Sequence, residues 1–387
     1  MLNRLDETMS NDKAVRWLET ASELDDWLAS RSDTPLALDT EFERVNTFFP
    51  IPGLVQLGLD DDLRLVEPSV AEASEGFRSC LSDPKRPKLL YAMSEDLELF
   101  RQWLDLEPRY VLDLQIAAAL AGLGFSVGYA RMVDNLFDVE IDKSATRSDW
   151  LARPLSDAQC RYALEDIRYL LPMHERLRLL LESRDLYQAW IEESDRFASE
   201  LASQSDPQNY YLRIRGGWQL SPRQQAVLKC LADWREAECR QRDRPRGRVL
   251  ADPVLIGIAE RMPTSKGALG AVADVPPVVV RRYADKILEC VERGRSAEPN
   301  ADRIEPPLTR EEQGLFKQVK GLLRHVAEER EVPIELLAPR RRIEAFIRCR
   351  HSDDSGRFFR EGWRGELLHP VLDDVDNLVN GNASLQR

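Results

Sequence analysis

Long apolar runs are absent from this 387-residue chain. No stretch approaches the roughly 18 uninterrupted apolar residues that a membrane span requires, so no membrane partner is expected. Histidine is scarce, with four in all, and the six cysteines (Cys80, Cys160, Cys230, Cys239, Cys290 and Cys349) include no C-x-x-C pair. That argues against a structural zinc site and against a disulfide scaffold, and the expected compartment is the reducing cytoplasm. The first thirty residues carry Asp6, Glu7, Asp12, Glu19, Glu23, Asp25 and Asp26, so no secretory leader is expected. What is present, 43% hydrophobic and 31% charged residues, describes an ordinary soluble protein of two or three domains.

The net charge of −13 argues against nucleic acid as a partner only while it is treated as an average. Residues 1–207 hold 22 Lys and Arg against 40 Asp and Glu, a net of −18, whereas residues 208–296 hold 17 against 10, a net of +7. Charge acts on partners by position, so an acidic half joined to a basic segment is the informative feature.

The N-terminal half reads as short strands followed by helices: a strand from Ala14 to Leu18, apolar runs at 35–42, 54–59 and 63–66, then Lys88–Ala92 and Val111–Leu114. The turn Asp60-Asp61-Asp62 between two of them predicts a hairpin. Ser22 is expected to cap a helix Glu23–Ala29 and Ser94 a helix Glu95–Trp103. Helical pattern then dominates from Ser156 to Ala202. Such an order predicts an α/β fold with a mixed sheet flanked by helices. Polar linkers at 202–209 and 295–307 precede all-helical segments. Ser221-Pro222 caps a long helix to Arg242, and shorter helices follow to Arg293 and from Glu311 to Cys349.

Four acidic sites stand out by context. In Leu36-Ala-Leu-Asp39-Thr-Glu41 an apolar strand delivers two carboxylates on one face, because side chains alternate along a strand. Asp96 lies in the first turn of a helix directly after a strand. Tyr162-Ala-Leu-Glu-Asp166 sets a phenol and a carboxylate at i and i+4, neighbours on one helix face. Taken singly, each has a plain alternative: a solvated strand edge, a favourable charge at a helix N-terminus, a core tyrosine with a surface aspartate. Converging in one cleft, they repel unless a cation is present, and hard oxygen ligands suit magnesium or manganese.

The arrangement resembles the DEDD superfamily of 3′→5′ exonucleases in its tyrosine-containing subclass. Leu38-Asp39-Thr-Glu41-Phe42, Met93-Ser-Glu-Asp96-Leu-Glu and Tyr162-Ala-Leu-Glu-Asp166 match its three motifs. Asp149-Trp-Leu-Ala-Arg-Pro-Leu155 and Tyr169-Leu-Leu-Pro172 extend the likeness toward the ribonuclease D family across residues 33–180. The resemblance implies an RNase H-like exonuclease domain (1–205) around two divalent ions, Mg²⁺ or Mn²⁺. Asp39 would bridge both ions, Glu41 and Asp166 would hold one, and Asp96 would support the other. Tyr162 would orient the attacking water.

The basic segment (208–296) resembles an HRDC domain, the helical module shared by RecQ-type helicases and ribonuclease D, through Leu220–Glu236, Asp243–Arg246 and Leu250–Pro253. Within it Arg240, Arg242, Arg244, Arg246 and Arg248 are candidates for phosphate contact, against the alternative of a solubility feature. Residues 305–380 resemble a second HRDC-like unit more faintly.

Several other features are read as structural or solvated. Asp113 and Glu165 lie near the motifs without fitting them. Gly122-Leu-Gly124-Phe-Ser-Val-Gly128 follows a helix rather than a strand and is expected to be a turn. Thr264-Ser-Lys266-Gly lacks phosphate-loop spacing, and His174 is expected on the surface.

The resemblance implies a 3′→5′ exoribonuclease that shortens precursor transfer RNAs and other small structured RNAs with unpaired 3′ ends and releases nucleoside 5′-monophosphates; the sequence does not set the oligomeric state, and a monomer is favoured. A DNA exonuclease of the proofreading or Werner type uses the same acids and is the rival. An inactive RNA-binding scaffold is the third reading.

Overall fold

The computed structural model describes residues 15–141, 148–204, 206–298, 302–348 and 356–381; Ala14 and Cys349, at the ends of two expected elements, lie outside them. The apolar runs become strands β1 (Trp17–Leu18), β2 (Leu36–Glu43), β3 (Ile51–Leu59), β4 (Asp62–Val66), β5 (Lys88–Leu90) and β6 (Val111–Asp113). They form one sheet of order β1-β4-β3-β2-β5-β6. The hairpin forms as expected, β3 pairing antiparallel with β4 through a turn in which Asp60 adopts φ +55°. β1 runs parallel to β4, and β5 lies parallel to both β2 and β6. A mixed sheet results, as the alternation of hairpin and helices predicts.

Among the described residues nine helices accompany these strands: α1 (Ala21–Ala29), α2 (Pro68–Ala73), α3 (Glu75–Ser82), α4 (Ser94–Trp103), α5 (Leu114–Leu120), α6 (Tyr129–Phe137), α7 (Asp157–Arg168), α8 (Leu170–Ser183) and α9 (Tyr187–Gln204). Two expected caps shift. Thr20, not Ser22, accepts from Glu23 N at the start of α1, and Ser94 is the first residue of α4 rather than its cap. Beyond the first linker come α10 (Pro222–Arg242), α11 (Arg246–Val249), α12 (Asp252–Arg261), α13 (Lys266–Gly270) and α14 (Pro277–Ser296). The last group is α15 (Arg310–Glu329), α16 (Ile334–Leu337), α17 (Arg340–Arg348), α18 (Arg357–Arg360) and α19 (Gly362–Gly381).

Two compact units emerge, and neither is a continuous piece of chain. The first comprises residues 1–43, 52–198 and 315–387; the second comprises 44–51 and 199–314. In the first unit the C-terminal helices bury their apolar stripe in the same core as the nuclease helices. Leu315, Val319 and Leu323 share it with Leu177, Leu181 and Trp190. Polar groups reinforce the seam: buried Glu193 pairs with buried Arg364, Glu192 accepts from Trp363 N at 3.1 Å, and Arg184 donates to the carbonyl of Arg330 at 2.7 Å. The helices expected to form a second HRDC-like unit over 305–380 thus pack, from Leu315 on, within the first unit.

The second unit is built on α10, which starts at a capping box between Ser221 and Gln224 with Pro222 at its first position. Its core includes Leu228, Leu231, Leu255, Ile258 and Ile287, with Trp234 packed at the margin. Segment 44–51 belongs here. Phe48 N and Phe49 N both donate to Asp243 Oδ1, at 2.8 and 2.9 Å, and Phe48 packs with Cys239 and Val249.

Candidate active site

β2 is fully buried at Leu36, Ala37 and Leu38 and surfaces partly at Asp39 and Glu41. Alternation puts those two carboxylates on one face and Thr40 on the other. α7 brings Asp166, and single carboxylate oxygens of Asp39, Glu41 and Asp166 lie within 4.8 Å of one another. Asp96, buried in the first turn of α4, is not one of this trio. It accepts a 2.5 Å hydrogen bond from the Thr40 hydroxyl, and its charge still reaches Asp39 and Glu41.

Burial is the largest influence on all four acids. Burial, then the charges of Asp96, Asp166 and Glu41, holds Asp39 well above the ordinary carboxylate range. Glu41 is pushed up to about 8 by burial and by Asp166 and Asp96. Burial raises Asp166 to about 7 against the opposing hydrogen bond from Tyr162, and Asp96 to about 7 against that from Thr40. Among the described residues none of the four pairs with a lysine or arginine. Clustered hard oxygens without an organic counter-charge are the donor set that a small divalent cation satisfies.

Tyr162 reaches Asp166 by one helical turn and hydrogen-bonds to it. Its ring packs against Trp150, centroids 6.0 Å apart at 38°. The Trp150 segment is itself pinned to β3: Arg153 donates to the carbonyl of Gly53 at 2.5 Å and pairs with Glu67 at 2.7 Å. Any side chain at position 53 would collide, because a Cβ there would lie 2.8 Å from Trp150 Cβ and 3.1 Å from the Glu41 carbonyl.

Sequence reasoning missed Thr40 and Gly53, and read Asp113 only as structural. It is structural, with a specific task. Its buried carboxylate accepts from Ala92 N at 3.0 Å, Met93 N at 3.1 Å and Gln115 N at 2.8 Å. That fixes the turn, with Ala92 at φ +61°, from which α4 presents Asp96. Glu165 pairs with Arg168 at 2.6 Å, consistent with a structural role. The glycine run is a turn, with Gly122 and Gly124 at positive φ after α5, and Ser265 caps α13.

His174 is a correction. It is buried, stacks 5.8 Å from Trp190 and contacts Glu175 at 3.1 Å, and burial lowers its pKa. It lies on the apolar stripe of α8 with Leu170, Met173, Leu177 and Leu181.

The arginine group divides. Arg240 and Arg246 pair with buried Glu236 and stand over the Phe48 ring at 4.7 and 4.8 Å, while Arg242 pairs with Glu238. Those three are occupied by packing and neutralisation within the second unit. Arg244 and Arg248 are exposed and, among the described residues, make no ion pair.

Comparison with known proteins agrees with this geometry. Residues 15–182 match the family model described as 3'-5' exonuclease, 224–291 that of the HRDC domain, and 312–372 that of the ribonuclease D C-terminal HRDC domain. Ribonuclease D of Pseudomonas paraeruginosa is 35% identical over 375 residues, covering 92% of this chain and 96% of the relative. The chain belongs to the ribonuclease D family. Ribonuclease D of Escherichia coli is 34% identical over 365 residues, 91% of this chain and 96% of that protein. The crystal structure of Escherichia coli RNase D, described as an exoribonuclease involved in structured RNA processing, superposes with a TM-score of 0.84 at 31% identity, covering 95% and 99% of the two chains. As a ribonuclease D family member the chain is a 3′→5′ exoribonuclease, a hydrolase with the expected α/β nuclease fold followed by HRDC helices. The catalytic core of RRP6 from Trypanosoma brucei shares the fold at a TM-score of 0.52 and 22% identity, over 73% of this chain and 79% of that one. Among the described residues no helix is long and apolar enough to cross a membrane.

Proposed function

We propose that this enzyme trims the 3′ ends of precursor transfer RNAs and other small structured RNAs, releasing nucleoside 5′-monophosphates. Asp39, Glu41, Asp96 and Asp166 serve as the metal ligands and Tyr162 as the residue that touches the attacking water. One observation carries this reading: three carboxylates within 4.8 Å, with a tyrosine hydrogen-bonded to one of them. Two divalent cations, magnesium or manganese, supply acidification of water and stabilisation of phosphoryl charge when bound.

The chain's own groups do the rest. The Tyr162 hydroxyl proton is committed to Asp166, so its oxygen is left to accept from the water and orient it. Trp150, Arg153 and Gly53 hold that tyrosine in place. Water adds to the terminal phosphorus and the bond to the penultimate 3′ oxygen breaks, which leaves the phosphate on the departing nucleoside. The enzyme acts as a cytoplasmic monomer, and its five described cysteines are free thiols, four of them buried. Arg244 and Arg248, the two arginines of their group without an internal pairing, contact the RNA backbone.

A degradation ladder on one 3′-unpaired substrate in matched RNA and DNA forms tests the proposal. Stepwise loss of nucleoside 5′-monophosphates from RNA is expected. Faster shortening of the DNA form, or cleavage of a circular RNA, would overturn it.

A further inference from the structure

We propose that Gln56 is a positioning residue for Asp39: its side-chain amide, which has no partner among the described residues, stands across the strands from that carboxylate and is placed to donate to it and hold it for the divalent cation. The inference rests on the reading of Asp39 as a metal ligand. Gln56 lies in the middle of β3 and is fully buried, yet neither its amide nitrogen nor its amide oxygen has a hydrogen-bond partner among the described residues. A buried primary amide with both ends unmatched is a costly group to keep in an apolar layer, and each one calls for a partner.

The register shows which group stands within reach of it. A Cβ placed on Gly58 would lie 3.2 Å from Ala37 Cβ and 3.8 Å from Ile167 Cδ1 of α7, while Gly53, five residues earlier on β3, lies against the Glu41 carbonyl, four residues later on β2. The two adjacent strands therefore run in opposite directions, with 58 across from 37. Two residues along each strand, Gln56 falls across from Asp39, on the face that looks toward α7. On its other side Gln56 pairs with Leu65 of β4, whose side chain is buried with Ala163 and Leu164 of α7. Gln56 thus stands between an apolar neighbour, which offers its amide nothing, and a carboxylate of the trio. Directly opposed side chains have Cβ atoms about 4.5–5.5 Å apart, which the three further bonds of a glutamine bridge with ease. Full burial excludes contact with RNA, so the amide acts on the ligand and not on the substrate.

Groups that orient a metal ligand affect metal affinity by about 10–100-fold when removed, and a group that only fills space does not. The test is a titration of Mn²⁺ alone, without RNA, into the full chain, read by the electron paramagnetic resonance signal of free Mn²⁺. Melting temperature is measured alongside on the same samples. Gln56→Met keeps length and removes the amide; it is expected to melt no lower than the parent without metal and to bind Mn²⁺ about 10–100-fold more weakly. Gln56→Glu, with an acceptor in place of the donor, is expected to show a comparable loss. Gln56→Met with parental Mn²⁺ affinity overturns the inference, as does a variant that only melts lower. If Gln56→Met fails to fold, parental affinity in Gln56→Glu overturns it equally. Asp39→Asn separates the two readings: if it binds Mn²⁺ normally, the assignment of Asp39 has failed, whereas if it loses binding and Gln56→Met does not, only the role of Gln56 has.

Discussion

Raising the pH from about 5 to about 8 is expected to destabilise the metal-free protein and to leave the Mg²⁺-loaded protein nearly unaffected. The four acids are held above their unfolded values, so between the two values the folded state binds more protons than the unfolded state, and stability falls as pH rises through that window. For Glu41 the window runs from the ordinary 4.5 to about 8, and for Asp166 from 3.8 to about 7. Each unit of difference is worth about 1.4 kcal/mol, so Glu41 alone forfeits about 3 kcal/mol by neutral pH. Because the acids feel one another, the loss is shared across the cluster and is less than the simple total. At about 2–4 °C per kcal/mol for a unit of this size, the metal-free melting temperature should drop by about 6–12 °C across the range. Asp166→Asn removes one charge from the cluster and should melt higher than the parent without metal at about pH 8, while losing hydrolysis. Thermal melts with a chelator and with excess Mg²⁺ at several pH values measure both effects. A flat metal-free profile, or an Asp166→Asn protein that melts lower than the parent, would refute the electrostatic reasoning.

Four further outcomes are expected. Tyr162→Phe should slow turnover by about 10²-fold, the low end for a group that handles a proton, and parental kinetics would return Tyr162 to a packing role. Asp113→Asn replaces one of two accepting oxygens with a donor and leaves a backbone N–H near Met93 unmatched; it should lower kcat about 10-fold with KM unchanged, and a change confined to KM would contradict its effect on Asp96. Replacing Arg244 and Arg248 together by Ser should flatten the log–log salt dependence of RNA binding by about 1.4, at roughly 0.7 per phosphate for single strands; an unchanged slope would remove them from the interface. A 3′-phosphate on the substrate should block degradation, and a ladder from such an RNA would show that the terminal ribose is not what the site holds.

Much of the site was legible because its acids sit within short local patterns. A buried strand that runs into Asp39-Thr-Glu41 and a helix with Tyr162 four residues before Asp166 each fix side-chain direction by local geometry alone. What escaped depends on pairs distant in sequence. Thr40 meets Asp96 across 56 residues, Arg153 meets Gly53 across 100, and Gln56 faces Asp39 only once the strands are in register. The pairings of Arg240, Arg242 and Arg246 were hidden for the same reason, since the acids and rings that meet them are not visible in a count of charges. His174 was recoverable: its spacing from Leu170, Met173, Leu177 and Leu181 places it on the buried face of α8, and the single polar member of an apolar stripe was read by its polarity instead of its position.

The discontinuity of the first unit has a consequence for synthesis. Its sheet and the acids on it are complete once residue 198 has left the ribosome, but Leu177, Leu181 and Trp190 wait for partners that begin at Leu315. The intervening stretch takes roughly 6–23 s to translate at about 5–20 residues per second. During that interval the nascent nuclease presents an apolar helical surface to the cell and has no means of covering it from its own emerged chain. Chaperone engagement should therefore peak between those two lengths, and a ribosome stalled there would hold a nuclease with its carboxylate trio translated and its core still open.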